Sequence, residues 1–529
     1  MNSTDSLRAF AIASLLAFVV LAVTTAATGA ADTRRVSIDG GVVRGAAVAG
    51  GYDFLGVPYA APPVGRLRWQ PPQPTVPWHG VRDATKYGAS CPQAPSGFAG
   101  PGPFSEDCLT LNVFTPPLQP GAGRPVLVWI HGGGFTQDAS RNYDAAKLAA
   151  SGLVVVTINY RLGALGFLAH PALAARTGGP TGNYGLMDQQ AALGWVHRNI
   201  AKFGGDASNV TIAGQSAGGV SVLAHLVSRG SRGLFQRAIV ESGAFALQQQ
   251  SLASGEAAGK AFAAKAGCPD QTASCLRSLP VSALVANFPG AAIPGVVDGK
   301  VLTEPIGKAL AAGRFARVPL INGINQNEEL LFVAGLGVAV SGGAFVPVPG
   351  PVTAESYQSA ISAVLGVSSQ RAAVIAGAYP LQPNVPAVGT LSALVADANF
   401  ACPALQVDRW VSKRAPTFAY EFDDGSAPQR FAPPGALPPI ATHSSEIQYL
   451  FDQPNTPVPA TLDAAQSSLA TKMRTAWSTF AAKGSPSSAG VSWPAFGSTA
   501  SVLSLASPRP TVNTDFATAH HCSLWSAGK

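Results

Sequence analysis

The chain has 529 residues, of which 47% are hydrophobic and only 12% charged, with a formal net charge of +7. That length and apolar content allow a large buried core. The basic residues are dispersed rather than clustered, which argues against a nucleic-acid partner.

At the N-terminus Arg8 precedes an apolar run from Ala9 to Val23 and then small residues through Ala31. This is the order of a secretory signal peptide, and predicts a secreted protein cleaved near Ala30 or Ala31. Residues 1–31 are therefore expected to be a leader and 32–529 the working domain. A retained anchor is the alternative, but the run falls short of the roughly 20 residues a spanning helix needs. No other stretch resembles a span, so no stable membrane insertion is expected. Pro-rich stretches at Pro71 to Pro77, Pro347 to Pro351 and Pro433 to Pro439 read as surface loops of one large domain. The sequence leaves the oligomeric state open.

Between Leu109 and Gly323, apolar runs alternate with helical patterns. The runs are Leu109 to Phe114, Val126 to Ile130, Leu153 to Ile158, Val210 to Ala213 and Ala238 to Val240, with Val318 to Ile321 and Thr417 to Phe422 extending the series. Continuous apolar strands separated by helices predict an α/β fold with a mostly parallel central sheet buried on both faces. Asp188 to Lys202, Ser216 to Val227 and Asp463 to Ala482 read as helices. Gly335 to Pro403 is poor in strand signals and is expected to cover the sheet's C-terminal edge. The six cysteines, even in number in a chain that reads as exported, are expected to be paired. The short closures join Cys91 to Cys108 and Cys268 to Cys275, leaving Cys402 with Cys522.

Val210 to Gly219 runs from a strand through Gly214-Gln215-Ser216-Ala217-Gly218 into a helix. This is the context of a nucleophile elbow, in which flanking glycines let a serine project above the sheet. His131-Gly132-Gly133-Gly134-Phe135 follows the strand Val126 to Ile130 and matches a loop that supplies backbone N–H groups to an oxyanion hole. Gly133, Gly134 and Ala217 are its candidate donors. The elbow's chain order of serine, acid, histidine leaves His443, His520 and His521 as candidate bases. His443 lies in a loop after a strand, whereas the other two adjoin Cys522 and would be held by its disulfide. The acid must lie between Ser216 and His443, and Glu328 with Glu329 competes with Glu421, Asp423 and Asp424; spacing does not choose among them.

These residues resemble the type B carboxylesterase and cholinesterase family over nearly the whole chain after the leader. Ser105-Glu-Asp-Cys-Leu-Thr-Leu-Asn-Val113, Asn159-Tyr-Arg-Leu-Gly163 and Asn183-Tyr-Gly-Leu-Met-Asp188 match its first-half motifs. Gly323-Ile-Asn-Gln-Asn-Glu328 fits its acid motif, and His443 followed by Glu446-Ile447 and Leu450-Phe451 is similar to its histidine motif. The resemblance implies a disulfide-stapled α/β-hydrolase and selects Glu328 over Glu329 beside Ser216 and His443. It also matches the three cysteine pairs. It further implies hydrolysis of small-molecule carboxylic esters with no metal or organic cofactor. Two departures stand out: Gln215 occupies the position before the serine where the family usually has Glu, and the loop from Cys91 to Cys108 lacks the tryptophan that cholinesterases place there. Both weaken a choline-ester reading. A lipase or polyester-degrading esterase is the rival within enzymes. A cholinesterase-like adhesion domain is the rival outside them, although such domains usually lack part of the triad.

Overall fold

The computed structural model describes residues 33–119, 121–174, 181–288, 295–432, 435–488 and 490–526. The expected leader, residues 1–31, lies outside the described residues. A single sheet of thirteen strands runs through the fold. Its first nine strands in chain order are β1 (Thr33–Ile38), β2 (Gly41–Val48), β3 (Gly51–Pro58), β4 (Val81–Asp83), β5 (Thr110–Thr115), β6 (Arg124–Ile130), β7 (Val154–Ile158), β8 (Gly205–Gln215) and β9 (Arg237–Glu241). The strands Leu320–Asn325, Thr417–Phe422, Val502–Leu505 and Thr511–Asn513 complete it.

From β7 through β6, β8, β9 and the strands at 320–325, 417–422 and 502–505, every neighbouring pair is parallel. The antiparallel pairs lie at the two ends, at β1, β2, β3 and β5 on one side and at Thr511–Asn513 on the other. The early hairpins were not read from the sequence. Asp39-Gly40-Gly41 and Gly50-Gly51 are the turn signals that mark them. The predicted strand Val318 to Ile321 is shifted, beginning at Leu320 and running to Asn325. Its C-terminal half carries Asn322 and Asn325, both buried, and such polar residues disguise a strand when their partners are distant in sequence.

Residue alternation divides the core. Val126, Val128 and Ile130 of β6 pack into the cluster on one face of the sheet, while Leu127 and Trp129 enter the cluster on the other. A strand buried on both faces therefore reads as an unbroken apolar run. Each fully buried aliphatic side chain contributes about 1.5–3 kcal/mol relative to exposure. The helix Ala464–Lys483 starts at a capping box in which Asp463 and Gln466 exchange side-chain and backbone bonds, and ends at Gly484 with φ 77°.

Gly335 to Pro403, read as poor in strand signals, carries one short hairpin among the described residues, Val338–Ser341 paired with Ala344–Pro347. One expectation is corrected here. A second stretch does have the length and hydropathy of a membrane span, the 25-residue helix Ala387–Val411, but its apolar stretch is 72% buried inside the fold. Core packing explains its apolarity. All three expected disulfides are present, joining Cys91 to Cys108, Cys268 to Cys275 and Cys402 to Cys522.

Candidate active site

The sharp turn at the end of β8 places Ser216 at φ 57° and ψ −123°, a conformation that non-glycine residues adopt at a cost. It is held there from two sides. The Ser216 N–H donates to the Glu241 carbonyl at the end of β9 (2.8 Å), and the Ser216 carbonyl accepts from Val220 N–H in the helix Ala217–Val227 (2.9 Å). The glycines around the serine answer to close approach. A Cβ on Gly218 would lie 1.9 Å from the Ile130 carbonyl oxygen of β6, and one on Gly214 would lie 2.6 Å from the Gly218 backbone. The serine side is thus packed directly on the strand that leads into the glycine loop.

That loop is itself anchored. The Tyr160 hydroxyl donates to the His131 carbonyl (2.9 Å), and the Tyr160 ring stacks on the His131 imidazole with centroids 4.4 Å apart. His131 is buried and its pKa is lowered by desolvation, while burial raises that of Asp138, whose carboxylate accepts from Tyr143, Asn142 and Ala139. Gly133 and Gly134 adopt φ 80° and φ 61° and line the same cavity as Ser216. Ala217 is the first residue of the helix, so its N–H has no acceptor within that helix.

Glu328 and His443 come from two loops stitched together. Asn327 and Thr442 form a parallel bridge, with Asn327 N–H donating to the Ala441 carbonyl (2.9 Å), which sets Glu328 and His443 side by side. His443 Nδ1 lies 2.6 Å from Glu328 Oε2, and both side chains are buried. The other oxygen, Glu328 Oε1, accepts from the Asn325 N–H (2.7 Å) and the Ser242 hydroxyl (2.5 Å). Sequence reasoning assigned no role to Ser242 or Asn325. Asn325 stands within the quoted acid motif, and Ser242 follows β9 at φ 51°, but neither position shows its partner from spacing alone.

The rival residues are occupied elsewhere. Both Glu329 oxygens accept from Val340 N–H at 3.1 Å, tying the acid turn to the hairpin, and burial raises the Glu329 pKa well above the usual carboxylate range. Glu421 is buried, and lies 3.0 Å from His520 Nε2, whose Nδ1 is 2.6 Å from Asp397. Asp423 accepts from Ser504 and Asp424 from Tyr449. The structure therefore brings Ser216, Glu328, His443, Gly133, Gly134 and Ala217 together and leaves His520, Glu421, Asp423 and Asp424 apart from them.

The site opens into a cavity of about 250 Å³ that Ser216 and His443 both line. Phe98, Phe332, Leu336, Val338, Phe345 and Phe431 form its apolar wall. His443 Nε2 pairs not with the serine but with Gln215 Nε2, at 3.2 Å. Trp69, Trp78 and Trp195 are absent from the described lining; Trp69 and Trp195 are buried in the core, and Trp78 donates to the Val42 carbonyl.

A model described as the carboxylesterase family matches residues 32–525. Pyrethroid hydrolase Ces2a of Mus musculus is 35% identical over 485 residues, covering 86% of this chain and 84% of the relative. Para-nitrobenzyl esterase of Bacillus subtilis is 34% identical over 481 residues, covering 86% of this chain and 91% of the relative. Among solved structures, a PNB esterase superposes with a TM-score of 0.78 at 32% identity, covering 93% of this chain and 99% of that chain. The chain belongs to the carboxylesterase family and is a carboxylic ester hydrolase with the α/β-hydrolase fold.

Proposed function

We propose that this enzyme is exported and hydrolyses small, uncharged carboxylic esters through an acyl-enzyme on Ser216. The observation that carries the reading is the buried His443–Glu328 contact of 2.6 Å at a cavity that Ser216 also lines. His443 Nε2 takes the Ser216 proton as Oγ attacks the ester carbonyl, then gives it to the departing alcohol. A water molecule repeats the sequence in reverse and frees the acid. Glu328, held by Asn325 and Ser242, keeps the imidazole in one tautomer and stabilises its cation. The N–H groups of Gly133, Gly134 and Ala217 face the developing oxyanion, each lowering the barrier by about 3 kcal/mol.

The cavity supports uncharged substrates. Its wall is largely apolar, Gln215 is neutral, and the Asp138 carboxylate is consumed by its own hydrogen bonds. The described lining offers phenylalanine and tyrosine rather than tryptophan, so a quaternary ammonium would meet the weaker aromatic faces in the roughly 0.5–2 kcal/mol range of such contacts, with no free carboxylate beside them. Export is supported by the apolar run Ala9 to Val23 and by three disulfides, which persist in oxidising compartments.

A series of nitrophenyl esters from acetyl to palmitoyl, joined by butyrylcholine and its uncharged 3,3-dimethylbutyl isostere, tests the substrate class. Turnover should peak at short acyl chains and differ less than tenfold between the choline ester and its isostere. A palmitoyl optimum would replace this reading with a lipase, and a tenfold preference for the cation, about 1.4 kcal/mol, would reveal a cation site. Turnover surviving in Ser216→Ala would overturn the acyl-enzyme.

A further inference from the structure

The catalytic base has a second partner that the ester-hydrolysis mechanism does not use. Gln215, 3% exposed, directs its amide nitrogen at His443 Nε2 across 3.2 Å. An amide nitrogen only donates, so Nε2 is the acceptor and the imidazole proton resides on Nδ1, facing Glu328 Oε2. The other end of the carboxamide is placed just as closely. A Cβ on Gly132 would stand 3.2 Å from Gln215 Oε1 and 2.9 Å from the Gln215 carbonyl oxygen, so the bare glycine leaves the room this side chain occupies. The rings of Phe332 and Phe400, with centroids 4.8 Å and 5.7 Å from the imidazole, limit the ring's tilt.

We propose that Gln215 is a positioning residue that holds His443 as the Nδ1–H tautomer with its Nε2 lone pair in use, and that the Ser216 hydroxyl displaces this amide when an ester binds. The inference rests on the Ser216–His443–Glu328 reading above. No proton passes to or from Gln215; the one that moves goes from Ser216 Oγ to Nε2 and on to the leaving alcohol. Donation to Nε2 is possible only while the imidazole is neutral, so the amide favours the base form of the free enzyme. A glutamate at this position would instead accept from the imidazolium and favour the form that cannot act as a base.

The remaining groups around the ring do not change between such variants. Glu328 faces Nδ1, Glu446 follows on the same loop, Asp138 lines the same cavity, and Glu241 at the end of β9 and Tyr420 on the strand Thr417–Phe422 lie within electrostatic reach of Glu446. Burial raises the Glu241 pKa to about 8 and that of Glu446 well above the usual range.

The test is the pH dependence of kcat/KM for the wild type, Gln215→Glu and Gln215→Met, with Ser216→Ala alongside. The free-enzyme profile reports the state of the base before substrate binds. Both variants should move the acidic limb to higher pH, Gln215→Glu further, on the scale of about one pH unit that an adjacent carboxylate imposes. Gln215→Met, similar in size and unable to bond Nε2, keeps the question open to measurement if the charged variant folds poorly. Coincident limbs in all three proteins, with Ser216→Ala inactive, would overturn the role of Gln215 and leave the triad standing. An active Ser216→Ala would overturn the triad itself.

Discussion

Glu328 and Glu329 are adjacent, both buried, and bonded to different parts of the molecule. The Glu328 carboxylate receives Asn325, Ser242 and His443, whereas the Glu329 carboxylate receives Val340 N–H on the hairpin. Converting each to glutamine separates a role in chemistry from a role in packing. Glu328→Gln presents an amide to Nδ1, removes the charge that stabilises the imidazolium and leaves the tautomer to Gln215 alone, and should lower kcat by roughly 10³–10⁴-fold, the loss seen when a triad acid becomes an amide. Glu329→Gln keeps a neutral group of the same shape where burial already favours the neutral acid, and should cost less than tenfold. Steady-state kinetics on the two variants decides, and the reverse order would move the acid by one residue. The sequence motif could number the candidates, but whether a carboxylate turns toward an imidazole 115 residues away depends on how the Asn327–Thr442 bridge packs.

At the scale of elements, the late helix Ala464–Lys483 places Trp477 against the buried end of β9, where its indole N–H donates to Glu241 Oε1 at 2.9 Å. Asp463 closes the helix start by accepting from Gln466 N–H, while Gln466 Oε1 accepts from Asp463 N–H. Replacing Asp463 by alanine should destabilise the protein by about 1 kcal/mol and leave ester turnover below the denaturation midpoint unchanged. Urea titration followed by activity checks both halves of that expectation; a turnover loss without a stability loss would mean that the cap reaches the site directly. This helix was readable within a residue or two at each end because amphipathic period, cap and terminal glycine agree. The hairpin at Val338–Ser341 and Ala344–Pro347 was not, because short strands with one small ladder carry little periodic signal.

At the scale of the whole molecule, the C-terminal segment is clamped onto the helix Ala387–Val411 by Cys402–Cys522 and onto the sheet by His520, which sits between Asp397 of that helix and Glu421 of the strand Thr417–Phe422. Burial alone would lower the His520 pKa, but hydrogen bonds to Asp397 and Glu421 outweigh it and push it up to about 10. The folded protein therefore binds a proton that the unfolded chain, with its histidine near 6.5, has released across the window between those values. The clamp's contribution is complete below about pH 6.5 and is lost as pH rises toward 10. Asp423 adds a change of the same sign at lower pH, since burial and Glu421 raise its pKa to about 7. Denaturant stability of the wild type should fall between pH 6.5 and 10, and His520→Gln should flatten that slope. Parallel curves for the two proteins would show that the histidine carries no linked proton.

What the sequence determined by itself was whatever depends on neighbours in the chain. The parallel strands follow from apolar runs, the helix boundaries from caps and glycines, and the elbow and glycine loop from residues that must be adjacent to form a strained turn. Tertiary structure decided the rest, because it concerns contacts across long separations. It assigned the buried carboxylates to different partners, gave His520 two acids that spacing had passed over, and buried the apolar helix Ala387–Val411 in the core. It also set the Gln215 amide against an imidazole 228 residues further along, a pairing fixed by the packing of β8 beside the histidine loop and invisible in the order of residues.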